Sequence, residues 1–120
     1  MPSPEPPEYL LRTECAVLQA MCTGTRQRTV WDDGMLILAS YPFRNVIHQI
    51  VFDTLREINT DRPDIIRKQL PVRLIRKGFP AVDVSIFLAP HNLPAKAAVE
   101  LMRALRVSAA GEERPDSTLR

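Results

Sequence analysis

Apolar residues recur at helical spacing in three stretches of the sequence, and this periodicity constrains the fold more than any other feature. The stretches are 7–22, 43–58 and 93–107. In the second, the apolar residues that share one side of a helix are Phe43, Ile47, Ile50, Val51, Leu55 and Ile58. Such stripes are typical of helices buried along one side. The sequence therefore predicts an all-α fold, a compact bundle of five to six short helices.

Prolines and cap residues divide the chain between these stripes. Asp32 or Asp33 is expected to cap a short helix in the apolar run that follows, and Pro42 is expected in the first turn of the long helix over 43–58. Asp61 is the predicted N-cap of the next helix, with Pro63 in its first turn. Each of these residues is of a type that favours a helix start.

Pro71 is expected to break the helix that begins near Pro63. Ile66 and Leu70 lie on one helical face, whereas Val72 and Ile75 would point elsewhere if the helix continued straight. Two separate helices, 63–70 and 71–77, would allow both sets of apolar residues to be buried. The segment 61–77 is thus predicted to resemble a helix-turn-helix unit, ended by Gly78 as the residue after the C-cap.

The segment 81–89 is compatible with a strand or a helix, and we favour a helix because no partner strand is evident. Asn92 is the predicted cap of the last helix, with Pro94 in its first turn. The chain is expected to form a single domain over 7–107, with a flexible leader over 1–6 and a disordered tail over 108–120.

Several classes of protein are disfavoured by what the 120 residues contain. There is no GxxxxGK[ST] phosphate loop, no HExxH and no apolar run long enough to cross a membrane, and the first residues are acidic and proline-rich. Cys15 and Cys22 are separated by about 10 Å of helical rise, too far for a disulfide. We expect a cytoplasmic protein with two buried thiols, no metal, no cofactor, no membrane contact and no small-molecule substrate.

His48 lies within the helix over 43–58 with no nucleophile or carboxylate at a spacing that predicts catalysis. It is expected at the edge of the buried stripe, with one ring nitrogen bonded to protein or water. No catalytic residue is predicted, and the chain is not expected to be an enzyme. A buried cluster formed by Glu14, His48, Asp53 and Glu57 would favour the opposite conclusion.

Basic residues are concentrated in one segment. Residues 62–77 carry six basic side chains against Asp64 alone, a net charge of +5, although the whole chain has a net charge of only +2. The residues expected to contact a nucleic acid or another anionic partner are Arg67, Lys68, Arg73, Arg76 and Lys77. A solvated basic face is the alternative interpretation.

Large apolar side chains beside arginines favour a protein interface. Trp31, Tyr41 and Phe79 are candidates for such a surface, because aromatic residues and arginine are enriched at interfaces. The alternative is that these three rings cover the core.

The motifs "ECAVLQAM", "HQIVFDTLREI" and "DIIRKQLPVRL" occur in an order that resembles the N-terminal helical domain of DnaB-type replicative helicases and the related helicase-binding domain of bacterial primase. The matching positions within residues 10–77 are Phe43, His48, Ile50, Val51, Phe52 and Leu55. The chain departs from the family after residue 77. The resemblance implies a module without a nucleotide site that acts through protein contacts in DNA replication, with dimerisation through the later helices.

Two functions are therefore expected. The first is a helical protein-interaction module that assembles with a protein partner or with itself. The alternative is a small DNA-binding domain that uses the basic segment 61–77.

Overall fold

A computed structural model of the protein describes residues 8–23, 28–60, 62–89 and 93–113. These residues contain helices and no strands, which confirms the all-α fold. The helices are α1 (Glu8–Thr23), α2 (Arg28–Ile37), α3 (Val46–Ile58), α4 (Pro63–Arg76), α5 (Ser85–Leu88) and α6 (Ala95–Glu113). The predicted leader, the two proposed caps Asp61 and Asn92, and residues 114–120 lie outside the described residues.

Helix α1 is the centre of the bundle and contacts each of the other five helices. Helices α2 and α6 pack against one another beside it, and so do α3 and α4. The side chains of α1 that are buried in this position are Leu10, Glu14, Val17, Leu18, Ala20, Met21 and Cys22. A helix enclosed on several sides needs a wide apolar stripe, which the sequence of α1 supplies.

Helix α2 begins earlier than predicted. Its start at Arg28 places Asp32 and Asp33 inside the helix, so neither is its N-cap. Gly34 lies against two methionines, and a Cβ added to it would be 2.7 Å from the sulfur of Met21 and 3.2 Å from the terminal methyl of Met102. The absence of a side chain at Gly34 therefore allows α2 to pack closely against α1 and α6.

Helix α3 begins later than predicted, at Val46 instead of near Pro42. The side chain of Asn45 accepts a hydrogen bond from the Ile47 N–H at 2.7 Å, which makes Asn45 the N-cap. The helix ends at Ile58, and its C-cap Asn59 adopts the left-handed conformation with φ 55°. Asparagine tolerates this conformation better than most residues do.

The predicted break at Pro71 is wrong, because α4 runs without interruption from Pro63 to Arg76. Ile66, Leu70 and Leu74 form a single row at four-residue spacing and are all buried. This row continues straight past Pro71, and its burial opposes the break that a proline inside a helix favours. Val72 and Ile75, expected in the core, are instead 47% and 58% exposed.

The C-terminal end of α4 agrees with the prediction. Gly78 has φ 94°, and the Phe79 N–H donates to the Leu74 carbonyl while the Gly78 N–H donates to that of Ile75. These two bonds form a Schellman motif, which turns Phe79 back onto the helix that it follows. The chain then reaches α5. The helix predicted for the segment 81–89 is therefore present over four residues, Ser85–Leu88.

Helix α6 is longer than predicted. It extends through Glu113, although a disordered tail was expected from Ser108. Its buried residues Ala98, Met102 and Leu105 continue the predicted apolar stripe. The lack of apolar periodicity after Val107 therefore does not end this helix. None of the helices described here has the length and apolar character needed to cross a membrane.

Candidate docking cleft and its buried ion pair

Glu14 is a fully buried carboxylate in the middle of α1. It accepts a hydrogen bond from the Tyr41 hydroxyl at 2.5 Å and others from the N–H groups of Arg44 and Asn45 at 2.7 and 3.3 Å. The fourth contact joins its Oε1 to Nδ1 of His48 at 2.9 Å. Both carboxylate oxygens are thus satisfied, as a charge removed from water requires.

These contacts tie the connection before α3 to the middle of α1. The backbone N–H groups of Arg44 and Asn45 lie at the start of α3, where a negative charge is favourable. Burial raises the pKa of Glu14, but its bonds to His48, Arg44, Tyr41 and Asn45 outweigh burial and lower it. Burial and the neighbouring carboxylate raise the pKa of Tyr41, so its hydroxyl remains a donor.

His48 is the cationic partner of Glu14. The residue is only 7% exposed, and its ring meets the Phe87 ring edge to face with the centroids 5.8 Å apart. Burial lowers the pKa of His48, but contacts with the Cys15 thiol and the Glu14 carboxylate raise it to about 9. The ring is therefore protonated at neutral pH, with its Nδ1–H donating to Glu14.

Cys15 follows Glu14 on α1 and brings a thiol to the same histidine. The interaction of the two side chains is one cause of the raised pKa of His48. Cys15 is half-buried, whereas Cys22 is fully buried and burial raises its pKa to about 12. The expectation of two buried thiols is confirmed for Cys22 only.

An apolar cleft of about 420 Å³ opens beside this cluster. Cys15, Ile47 and His48 line it from α1 and α3, and the segment 78–87 supplies the remaining wall, with Phe79, Val82 and Phe87 among its residues. Ile86, on the same wall, is 50% exposed. The cleft therefore combines an apolar lining with a protonated histidine and a thiol.

The wall of the cleft is fixed by polar contacts as well as by packing. The Gln19 side-chain amide, on α1, donates to the carbonyls of Ile86 and Ala89 at 3.1 and 3.0 Å, which holds both ends of the short helix α5. Asp83 accepts hydrogen bonds from the N–H and the hydroxyl of Ser85. A segment with only one turn of helix thus keeps a defined position on α1.

The five basic residues predicted to meet an anionic partner all lie on α4 or at its C-cap. Arg73 and Lys77 form ion pairs with Glu57 of α3, and the Arg73–Glu57 distance is 3.6 Å. Arg67, Lys68 and Arg76 are exposed. The basic segment is thus one continuous helix whose C-terminal end adjoins the cleft at Gly78, and residues 63–76 do not form a helix-turn-helix.

The expected interface of three aromatic residues is mostly wrong. Trp31 and Tyr41 are 7% and 3% exposed and belong to the core, as the alternative interpretation holds. Phe79 is half-buried and lines the cleft. In this chain, the position of an aromatic residue beside polar residues in the sequence therefore did not indicate that its side chain is exposed.

The cluster that would favour chemistry forms only in part. Glu14 and His48 meet, whereas Asp53 accepts a hydrogen bond from Gln49 and Glu57 is on the outer side of α3. No local sequence pattern places Cys15 or the wall over 78–87 beside His48, because these residues meet it only through the fold. Within the described ranges, no three His, Cys, Asp or Glu side chains are grouped closely enough to hold a metal ion.

Comparisons of the chain with models of known protein families, with curated proteins and with solved structures find no match.

Proposed function

We propose that this chain is a helical protein-interaction module that receives the apolar side chains of an acidic, amphipathic helix from a partner protein. The observation that carries the proposal is the apolar cleft of about 420 Å³. Ile86 on its wall is half-exposed and extends the apolar surface to the rim. A groove of this kind suits a helix with apolar residues at positions i, i+3, i+4 and i+7.

The cleft is formed before any partner arrives. Phe79 is held by the Schellman motif, α5 by Gln19, and the start of α3 by Glu14. Binding to a preformed groove avoids the entropy cost of ordering loops at the interface. The fixed walls therefore favour a docking site over a surface that must rearrange.

Charge favours an acidic partner. The cleft borders Gly78, which directly follows the last turn of α4 and its cap, where Arg73, Arg76 and Lys77 lie. Arg76 and Lys77 are exposed at this end, and the segment 62–77 has a net charge of +5. Complementary charges at the rim of an interface speed association and orient the partner.

The resemblance to the helical domains of replicative helicase and primase suggests which process this module serves. Those domains act through protein contacts, and an assembly role in DNA replication is part of the proposal. No catalytic step, cofactor or small-molecule substrate is included in it.

The test uses two designed helical peptides with leucine at the four spaced positions, one with glutamate and the other with lysine at the remaining positions. The ¹⁵N-labelled protein is titrated with each peptide, and amide shifts are followed by NMR. We expect the acidic peptide to bind and to shift residues of 78–87 and α3. Equal binding of both peptides, or shifts centred elsewhere, would contradict the proposal.

Two matched variants locate the surface. Ile86→Asp places a charge on the cleft wall and should weaken binding of the acidic peptide by about tenfold or more. Leu36→Asp makes a similar change at a leucine on α2 that is 76% exposed and does not line the cleft, and it should leave binding unchanged. Equal losses in the two variants would indicate a nonspecific effect.

A DNA-binding function is the rival that the same samples address. It is favoured by the exposed Arg67, Lys68 and Arg76 on one helix, although Arg73 and Lys77 are paired with Glu57. Binding to a short DNA duplex that falls steeply with salt, and that Arg76→Ala weakens while Ile86→Asp does not, would replace the docking proposal. The solution mass of the free protein tests self-association in the same experiment.

A further inference from the structure

The outer face of α4 carries aliphatic side chains between basic ones. Lys68 and Val72 are each two positions from the buried Leu70, which places them about 200° from it around the helix axis. Arg76 follows Val72 at four-residue spacing, and Ile75 lies beside this row. Val72 and Ile75 are 47% and 58% exposed. The face opposite the core is therefore both apolar and basic.

The positive charge of this face is not neutralised by the fold. The acidic residues that form ion pairs with this segment are Asp64, which pairs with Arg62, and Glu57, which pairs with Arg73 and Lys77. Three exposed basic residues of α4 have no ion-pair partner among the described residues: Arg67, Lys68 and Arg76. An anionic partner would therefore not have to displace a carboxylate from them.

We propose that the outer face of α4 binds the surface of an anionic lipid bilayer, with Val72 and Ile75 in the headgroup region and Lys68 and Arg76 against lipid phosphates. Basic residues around an apolar centre are typical of helices that lie on a membrane surface. The expectation of no membrane contact rests on the lack of a spanning apolar run, and a contact at the surface requires none. The inference does not depend on the docking cleft.

The two aliphatic residues favour lipid over a nucleic acid. A nucleic-acid backbone would present phosphate and sugar groups to Val72 and Ile75, and these groups give them no apolar surroundings. A bilayer presents anionic headgroups with hydrocarbon directly below them. Lys68 and Arg76 have long side chains that can reach the phosphates while the shorter aliphatic ones enter the surface. A bilayer thus satisfies both parts of the face at once.

The shape of the face favours a flat surface over a partner helix. The groove on this face, of about 280 Å³, is lined by residues of α4 alone: Lys68, Gln69, Val72, Arg73 and Arg76. The docking cleft, in contrast, has walls from α1, α3 and the segment 78–87. A face without a second wall cannot enclose a helix from two sides, but it can lie on a bilayer.

The experiment mixes the purified full chain with vesicles of phosphatidylcholine, or of phosphatidylcholine with an equal amount of phosphatidylglycerol, at low and high salt. Cosedimentation measures the bound fraction. We expect binding to the anionic vesicles that weakens with salt, and little binding to the neutral ones. No binding to either kind of vesicle, or equal binding to both, would overturn the proposal.

Matched variants locate the contact. Val72→Asp should weaken binding to the anionic vesicles by about tenfold or more, and Lys68→Gln by about fivefold. Val107→Asp is the same change as Val72→Asp at a valine of α6 that is 72% exposed, and it should leave binding unchanged. Ile86→Asp should also leave it unchanged, although that variant loses the acidic peptide, so the two proposals fail separately. Equal losses in Val72→Asp and Val107→Asp would contradict a contact through α4.

A fluorescent variant separates lipid from other anions. The chain has one tryptophan, Trp31, which is only 7% exposed, so Val72→Trp adds a second one on the proposed contact. Its emission should shift to shorter wavelength with the anionic vesicles, and not with free glycerol phosphate or a short DNA duplex. No shift with the vesicles, or the same shift with the duplex, would show that the face does not enter a bilayer.

Discussion

Two glutamates join helices in this molecule, and their surroundings differ in nearly every respect. Glu14 is fully buried between α1 and the start of α3, and it has four hydrogen-bonding partners. Glu57 joins α3 to α4 through Arg73 and Lys77, with 44% of its side chain exposed. Both glutamates form salt bridges, but only Glu14 has exchanged all of its contacts with water for contacts with protein.

The difference shows why an ion pair must be judged by its burial. Solvent screens the pairs of Glu57, and holding long side chains in place has an entropy cost. Glu14 has no access to water, so its charge depends on the donors that the fold supplies. We therefore expect the Glu14 cluster to control the position of the loop and cleft, while the Glu57 pairs contribute little.

The largest effect is expected for Glu14→Ala. The change leaves His48 buried without its anionic partner and removes the acceptor for Tyr41, Arg44 and Asn45. Removal of one partner of a buried ion pair typically lowers the free energy of unfolding by about 3 to 5 kcal/mol. Urea denaturation measures the free energy of unfolding. A loss below about 1 kcal/mol would show that the cluster is not the stabilising contact described here.

A pH change tests the same cluster without mutation. His48 has a pKa of about 9 in the folded protein, above its ordinary value of 6.5. The stabilisation that the protonated ring provides is therefore fully present below pH 6.5 and is lost as the pH rises through 9. The contribution is roughly 3 kcal/mol. NMR of the imidazole ring should show titration near pH 9, and titration near 6.5 would contradict the ion pair. Glu57→Ala should leave this titration unchanged.

Tyr41→Phe removes one of the four contacts and should have an intermediate effect. Hydrogen bonds to charged groups contribute about 1.5 to 3 kcal/mol, and the phenyl ring keeps the apolar packing. Because the hydroxyl also lowers the pKa of Glu14, that pKa should rise in the variant. Urea denaturation measures the free energy of unfolding, and carboxyl titration by NMR measures the pKa of Glu14. If neither quantity changes, the hydroxyl contributes nothing to the cluster.

The smallest effect is expected for Glu57→Ala, the matched control for Glu14→Ala. Two exposed pairs are lost, and each contributes about 0 to 1 kcal/mol, less at high salt. The free energy of unfolding should therefore change little at high salt. A loss comparable with that of Glu14→Ala would remove the distinction between the two sites.

The sequence predicted the helical periodicity of this chain better than its contacts. The stripe of α3 and the Gly78 turn follow from local patterns, and both are present. Glu14 and His48 are 34 residues apart, and no local pattern encodes their contact. The notion that distant polar residues could meet was correct for this pair and not for Asp53 and Glu57.

Pro71 shows how a local rule can be outweighed. The loss of one helical hydrogen bond favours a break, but the break would separate Leu74 from the row that Ile66 and Leu70 begin. The prediction also assumed that Val72 and Ile75 must be buried. Folded proteins leave many apolar residues exposed, so their positions did not require a second helix.

The central place of α1 has a consequence for how the chain is made. Residues of α1 leave the ribosome before all the others described here, whereas α6, which packs against them, is synthesised after the other five helices. Met21 and Met102 both lie against Gly34, so Met21 lacks part of its final surroundings until the segment near Met102 has emerged. We therefore expect the packing of α1 to be completed late in synthesis, and a nascent chain that lacks α6 to expose apolar surface.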